Sequence, residues 1–328
     1  MKLLNKYKNT MIKGSILLFL VLLIMFPKAS FEGASSGLLL WFHNVLPNLL
    51  PFIIVSNLLI RLNISKQICR LFYPILGRLF HVSRDGCYPI IIGFLSGIPM
   101  GAKSAADMVS EKKITTGEGQ FLLALTNNAS PMFIMGYIAI TQLKLPNIKY
   151  VLFAIIYAAS ILGALIHRFF ITNMGKRSFA LSSNAANPLS AQEISKSPRF
   201  SFEILDSTIM NGFDVVTKIG GYIILFSILA QIIHVIGPQV SYGKAFIMGI
   251  IEITTGINQV CKIDMSDSIK IVLVTVLTSF GGLSGMAQTK SVLGGTRLSI
   301  VSYFFVKMLN ALIALLLSVL YVTLFPVN

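Results

Sequence analysis

Acidic residues are scarce in this chain: 12 Asp and Glu stand against 27 Lys and Arg, and charged residues of both signs make up 12% of 328. Soluble domains carry about 25% charged residues, so the composition excludes a soluble globular protein. Hydrophobic residues reach 55%, and the mean hydropathy is +0.78. Apolar runs at 16–26, 150–165 and 311–325 approach or reach, with their flanks, the roughly 17–25 residues that cross a bilayer. The sequence therefore predicts an all-α polytopic membrane protein.

Cysteine is also rare, and Cys69, Cys87 and Cys261 show no Cys-x-x-Cys spacing. Such a set predicts neither a disulfide framework nor a zinc site. The chain has no HExxH, P-loop or GxGxxG motif. Residues 282–285 match the GxSG pattern of intramembrane serine proteases, whose nucleophile needs a base, normally on a later helix. All four histidines precede Ser284, so we expect no enzymatic activity, no metal and no cofactor.

The net charge of +15 comes from basic residues in loops between apolar segments, as the positive-inside rule predicts. No compact basic cluster alternates with aromatic residues, so no nucleic-acid partner is expected. Four lysines precede the first apolar run, namely Lys2, Lys6, Lys8 and Lys13. They predict a cytoplasmic N-terminus. Residues 28–36 offer no evident Ala-x-Ala cleavage site, which favours an uncleaved anchor helix over the alternative of a signal peptide.

Composition changes divide the chain into four parts. They are an N-terminal anchor helix with its loop (1–36), a first repeat (37–172), a cytoplasmic linker (173–204) and a second repeat (205–328). Residues 64–80 have the pattern of an amphipathic helix at the membrane interface. Both repeats follow the order span, short broken segment, long broken segment, span, which predicts two inverted repeats with re-entrant helical hairpins. Any helical membrane protein can be cut into similar halves, so a chance match stays an alternative.

Residues that hydrocarbon rejects interrupt the apolar segments at matching places in the two repeats. The first repeat is broken at 93–103 and at 127–131, and the second at 252–256 and at 280–289. Backbone that leaves the helix exposes unpaired N–H and C=O groups, which is tolerated at membrane depth only inside protein or beside a wet cavity. Paired breaks in corresponding halves point to the binding site of a transporter.

The second repeat carries a carboxylate, Glu252, inside a strongly apolar segment. A carboxylate at membrane depth is rare and usually faces a cavity or a partner. Glu252 could ligate a cation, carry a coupling proton or only support broken helix ends, and Lys307 in the last span is its candidate partner. Thr254 and Thr255 add hydroxyls, while Gly256 permits unwound backbone. We assign Glu252 and Lys307 to coupling or gating.

The first repeat carries neutral polar groups, because Asn127, Asn128 and Ser130 offer donors and acceptors without the cost of burying a charge. Pro131 suits the first turn of a half-helix, whose N–H groups favour an anion. Lys103 could attract an anionic solute or only extend to the interface. The expected substrate-binding residues are Ser96, Lys103, Asn127, Asn128, Ser130, Thr254, Thr255, Ser284 and Gln288.

Several runs are specific in combination: 46–52, 93–103 (GFLSGIPMGAK), 127–131 (NNASP), 220–223, 252–256 and 280–284. Together they resemble the sporulation integral membrane protein family of endospore-forming bacteria, from about residue 37 to the C-terminus. That family carries a nucleoside-recognition, or Gate, domain that is similar to parts of nucleoside transporters and of ferrous-iron transport proteins. Residues 286–289 (MAQT) depart from the pattern of the family. At the two positions before Gln288 that pattern leads us to expect a β-branched residue and a His.

The resemblance implies transport of a small anion, dipicolinate in particular, from the mother cell towards the forespore. It implies a location in the cell membrane or outer forespore membrane, with the lipid bilayer and the anion as partners. A homo-oligomer or an assembly with other sporulation membrane proteins stays open. Two other functions also stay open: a non-transporting scaffold or regulatory protein of spore assembly, and a transporter of nucleosides or metal ions.

Overall fold

A computed structural model describes residues 2–62, 64–174, 200–237 and 241–326, which are helical and contain no strand. The α-helices are α1 (Lys2–Met25), α2 (Pro27–Leu40), α3 (Leu46–Arg61), α4 (Ile64–Phe80), α5 (Cys87–Ser96), α6 (Met100–Ser110), α7 (Thr116–Thr126), α8 (Lys149–Met174), α9 (Phe202–Ile236), α10 (Ser241–Ile251), α11 (Ile253–Lys262), α12 (Asp267–Phe280), α13 (Gly282–Val292) and α14 (Ile300–Leu324). Two π-helical segments, Trp41–Val45 and Phe133–Gln142, and a 3₁₀ turn, Pro146–Ile148, complete the described elements.

Helices long and apolar enough to cross a membrane confirm the all-α polytopic class. Four are found in the described residues: Pro146–Phe170, Phe202–Ile236, Asp267–Val292 and Ile300–Leu324. A fifth candidate is the pair Lys13–Met25 and Pro27–Val45, which is bent by 104°. The larger part of the predicted linker 173–204 lies outside the described residues, and its last residues already belong to α9.

The loop predicted after the anchor helix is instead helical. Pro27 lies at the N-terminus of α2, where its fixed φ and missing N–H are well tolerated. The helix continues through Trp41–Val45 into α3 and runs antiparallel to α9. Trp41 Nε1 donates to Val216 O at 2.9 Å, and Arg61 Nη1 donates to Ser207 Oγ at 2.6 Å. The predicted span from residue 37 to 60 is therefore part of a longer element.

Helix α4 has an exposed apolar stripe, Leu71, Ile75 and Leu79, at intervals of four residues. Its other face buries Cys69 and Phe80 against the protein. An exposed stripe of this kind is typical of a helix that lies in the membrane interface.

The two segments predicted to be repeats, 37–172 and 205–328, use corresponding contacts. In the first half α3 packs on α5, and in the second half α9 packs on α10 in the same way. The long broken segment of each half also packs on the last helix of the other half: α7 contacts α14, and α12 contacts α8. In the first repeat Ser83 N donates to Glu118 Oε1 at 2.6 Å, which ties the base of the α5–α6 hairpin to the start of α7. In the second, Asn258 Nδ2 donates to Gln142 Oε1 at 3.1 Å, which ties the α10–α11 hairpin to the far end of the α7–π segment. The two hairpins thus enter the protein from opposite ends, as an inverted repeat requires.

Candidate functional site

The hairpin tips meet at the centre of the protein around a cavity of about 70 Å³. The turn between α5 and α6 is residues 97–99, in which Gly97 has a φ of 74°. Ile98 N donates a 2.8 Å hydrogen bond to Asn128 O, which joins this tip to the break after α7. In the second repeat Gly281, with a φ of 85°, separates α12 from α13. The central cavity is lined by Val45, Leu49, Ser96, Ile98, Ala129, Ser130, Phe133, Ile219, Ile223, Glu252, Ile253, Thr254, Thr278, Gly281, Ser284, Gly285 and Gln288.

Glu252 is the carboxylate of this central cavity and is fully buried. Its extended backbone (φ −141°, ψ 113°) makes it the N-cap of α11, where a helix favours a negative charge. Oε2 accepts a hydrogen bond from Thr255 N at 2.7 Å. Oε1 accepts from Thr254 Oγ1 at 2.9 Å and from Ser284 Oγ at 3.4 Å. The geometry suits a helix cap and also a group that binds a proton or a cation from the cavity.

The break at Glu252 is narrower than predicted, because Thr254, Thr255 and Gly256 belong to the first turn of α11. Capping by the carboxylate lets the helix resume at once. Thr254 lines the central cavity. The Thr255 hydroxyl instead lies 2.7 Å from the hydroxyl of Ser227 on α9, away from the lining.

Asn127 joins three elements and does not line the central cavity. Its Oδ1 accepts from Ala102 N, in the first turn of α6, at 3.2 Å. Its Nδ2 donates to Thr289 Oγ1 at 2.7 Å and to Tyr303 Oη at 2.9 Å. Tyr303 Oη donates in turn to Asn127 O at 2.8 Å. This residue therefore connects α6, α13 and α14 immediately behind the cavity.

Asn128 also lies behind the lining, and it contacts Lys307 rather than the cavity. Lys307 Nζ donates to Asn128 Oδ1 at 3.1 Å. The predicted pairing of Lys307 with Glu252 is wrong, because the ion pairs among the described residues are those of Lys103, Lys113 and Lys270. The two buried ionisable groups lie on either side of the turn between α12 and α13.

Serine hydroxyls from both repeats face the central cavity. Ser130 lines it and accepts a hydrogen bond from Phe133 N at 3.2 Å, which caps the second π-helical segment. Ser96 lines it at the end of α5, and its hydroxyl lies 2.8 Å from that of Ser56 on α3. With Ser284 from the second repeat, the lining offers neutral hydrogen-bonding groups beside the one carboxylate.

A second, more polar cavity of about 340 Å³ lies between α3, α5, α6 and α9. We call it the vestibule; it is lined by Asn57, Arg61, Tyr88, Ile92, Met100, Lys103, Ser104, Asp107, Asn211, Asp214, Val215 and Lys218. Lys103 is thus placed here and not in the central cavity. It is half-exposed and pairs with Asp107 at 2.7 Å. The 2.8 Å contact between Ser56 and Ser96 lies where α3 and α5 separate the vestibule from the central cavity.

Several polar groups at the site were not predicted from the sequence. Thr278 lines the central cavity, while Ser56, Ser227 and Tyr303 bond to predicted residues from behind. A partial signal existed for Tyr303, since it lies four residues before Lys307 and thus on the same face of α14. Among the described residues no group of three or more His, Cys, Asp and Glu is placed to hold a metal ion.

Broken helices that converge on a largely apolar cavity with one buried carboxylate define this protein as an integral membrane protein with an internal site. The chain is 27% identical over 331 residues to sporulation integral membrane protein YlbJ of Bacillus subtilis (strain 168). The match covers 93% of this chain and 81% of that relative. It confirms the predicted resemblance to sporulation integral membrane proteins and supports a membrane role in sporulation, while the Gate domain stays a prediction. No family model matches the chain, and no solved structure matches it significantly.

Proposed function

We propose that the protein is a secondary transporter or facilitator that moves a small anionic solute during sporulation, with dipicolinate as the candidate. The observation that supports this function is the convergence of both repeats on one buried cavity, where Ser96 and Ser130 face Glu252 and Ser284. Broken helices at membrane depth are costly unless they line such a cavity. Midplane sites of this construction are characteristic of secondary transporters built from inverted repeats.

The vestibule is a suitable access route for an anion. Arg61, Lys103 and Lys218 bring three cationic groups to its lining, against the carboxylates of Asp107 and Asp214. It opens at the end of the protein where α3 finishes and α9 begins, and this end carries the loops that we predict to be cytoplasmic. In the outer forespore membrane that end would face the mother cell, which is the side from which the solute would enter.

Glu252 sets a condition on anion binding in the central cavity. Two negative charges in a site of low dielectric repel strongly. A carboxylate solute can therefore occupy the cavity only when Glu252 binds a proton or a coupling cation. This condition gives Glu252 a coupling role, in which transport of the anion depends on a second ion.

A non-transporting scaffold is the second candidate, and one observation favours it. The carboxylate of Glu252 already has three donors, from Thr254, Thr255 and Ser284. Such a set would also be expected of a purely structural cap that holds α11 and α13 together. Transport and scaffold functions differ in whether a solute crosses the membrane.

Uptake into proteoliposomes distinguishes the two functions. The purified chain is reconstituted, and uptake of radiolabelled dipicolinate is followed in the wild type, in Ser284→Ala and in the matched control Ser110→Ala. Ser284 lines the central cavity, whereas Ser110 is exposed at the end of α6. Ser284→Ala removes the hydrogen bond to Glu252, and a hydrogen bond is worth about 0.5–1.5 kcal/mol. We therefore expect uptake to fall roughly two- to tenfold in Ser284→Ala and to stay unchanged in Ser110→Ala. No uptake by a folded wild type would favour the scaffold.

A further inference from the structure

Lys307 is a buried amine with spare hydrogen-bonding capacity. Only 1% of the residue is exposed, and its Nζ makes one hydrogen bond to a described residue, to Asn128 Oδ1 at 3.1 Å. The ring centroid of Tyr303 is 5.9 Å away. A protonated lysine has three N–H donors, and a buried charge is costly unless it is paired. The described surroundings thus supply a neutral acceptor and an aromatic ring, but no carboxylate.

Only a thin partition separates Lys307 from the central cavity. Gly281 lines the cavity, and a Cβ atom built on it would lie 3.4 Å from Lys307 Cε and 3.8 Å from Nζ. The same point lies 3.5 Å from Ile98 Cδ1, and a Cβ on Gly285 would lie 3.8 Å from that methyl group. The partition therefore consists of glycine backbone on one side and the Ile98 side chain on the other.

We propose that Lys307 is a subsite for a carboxylate group of the solute and that Ile98 covers this subsite until the solute enters; the inference rests on the proposed function. A carboxylate that reached Lys307 would replace the neutral Asn128 oxygen by a charge-assisted hydrogen bond, which is about twice as strong. The Ser130 hydroxyl, which lines the cavity and only accepts a hydrogen bond from Phe133 N, would remain as a neutral donor for the rest of the solute.

Asn128 links the subsite to its cover. Its side-chain oxygen holds Lys307, and its backbone oxygen accepts the hydrogen bond from Ile98 N at the hairpin tip. A displacement of Asn128 by an incoming carboxylate would therefore also disturb the position of the tip. The cavity of about 70 Å³ has room for only a few water molecules, so a planar dicarboxylate requires such a movement.

Charge preference tests the subsite. Detergent-purified full-length protein is titrated with dipicolinate and with its neutral diamide, pyridine-2,6-dicarboxamide, and binding is read from ligand-dependent thermal stabilisation. We expect Lys307→Gln to lower the preference for the dicarboxylate over the diamide by about tenfold or more, and Lys307→Arg to keep most of it. A merely structural lysine would change the affinity for both ligands together.

The Ile98→Ala variant tests the cover. It should lower the half-saturating dipicolinate concentration for uptake about threefold or more. The reason is that the charge-assisted contact between the solute carboxylate and Lys307 then forms without displacing the Ile98 side chain. Leu95→Ala, an exposed position on α5, is the matched control and should behave as the wild type. If Lys307→Gln keeps the charge preference, or Ile98→Ala matches Leu95→Ala, the subsite is wrong although transport stands. A wild type that neither binds nor carries dipicolinate overturns the proposed function and the subsite together.

Discussion

Gly249 and Gly256 face each other across the α10–α11 hairpin so closely that a methyl group on Gly256 would overlap the backbone of Gly249. In the first hairpin a Cβ on Gly93 would lie 3.0 Å from Gly101 Cα, and a Cβ on either glycine would lie still closer to Thr126 of α7. Small residues let helix backbones approach at membrane depth. The glycine pairs thus bring both hairpin tips to the centre, where the cavity lies.

The Gly256→Ala substitution should destabilise the protein, because the added methyl group meets backbone, which cannot rotate away. Overpacking of this kind costs about 1–3 kcal/mol or more. The expected result is a lower midpoint of thermal unfolding in detergent and less protein in the membrane. Gly221→Ala is the matched control, since nothing lies within 4 Å of a Cβ at that position of α9. Equal midpoints for the two variants would contradict the close contact.

Replacement of Glu252 should separate its capping role from its coupling role. Glu252→Ala removes the acceptor for Thr255 N and Thr254 Oγ1, and buried donors left without a partner cost about 1–3 kcal/mol each. Glu252→Gln keeps an acceptor oxygen but cannot bind an exchangeable proton. We expect Glu252→Ala to accumulate poorly, and Glu252→Gln to accumulate normally while uptake loses its response to an imposed pH gradient.

The control for this prediction is Glu203→Gln, the same change at an exposed position of α9. It should leave both accumulation and the response to the gradient intact. A Glu252→Gln variant with a normal gradient response would restrict Glu252 to the capping role.

The positions of the breaks could be predicted from the sequence, and the break predicted at 127–131 has close to its predicted width. The other three breaks are narrower than predicted. Gly256 follows a carboxylate in an apolar segment, so it resembles a residue at which the helix unwinds. In the structure it is helical, and the space that requires glycine is filled by Gly249 from the other arm. A glycine needed for close packing and a glycine needed for unwound backbone look the same in a single sequence.

The sequence also could not predict which polar residues line the central cavity and which form hydrogen bonds behind it. Asn127 and Ser130 occur in one short run, yet Ser130 faces the cavity while Asn127 bonds to Tyr303, 176 residues away. Periodicity predicts which residues share a face of a helix. It is uninformative where the helix is interrupted, and the interrupted segments are the ones that carry the site.

Asn127 and Tyr303 should be energetically coupled, because two hydrogen bonds join them at 2.8 and 2.9 Å. Tyr303→Phe removes the hydroxyl and keeps the ring, while Asn127→Ala removes the amide. Contacting residues show interaction energies of about 0.5–3 kcal/mol in double-mutant cycles, measured here by unfolding of the purified protein. Thr323→Ala is the control, because Thr323 is exposed near the end of α14. Its effect on the free energy of unfolding should add to that of Asn127→Ala. If the effects of Asn127→Ala and Tyr303→Phe on the free energy of unfolding are additive, the predicted coupling between the two residues is wrong.

The entry of the two hairpins from opposite ends makes a prediction about membrane sidedness. The loop after α6 contains Lys112, and the segment after α13 contains Gly294; both should lie on the cytoplasmic side. Lys144 and Asp264 follow the second π-helical segment and α11, and both should lie on the other side. All four are exposed. Each is replaced by Cys in a chain without its native cysteines, and intact cells are treated with a membrane-impermeant maleimide.

The Lys144→Cys and Asp264→Cys variants should react in intact cells, and Lys112→Cys and Gly294→Cys only after the cells are permeabilised. The physical reason is that each hairpin returns to the side from which it entered, so its base reports the orientation of its repeat. Labelling of Lys112→Cys and Asp264→Cys from the same side would show that the repeats are not inverted in the membrane. That result would also remove the two-sided access on which transport through the central cavity depends.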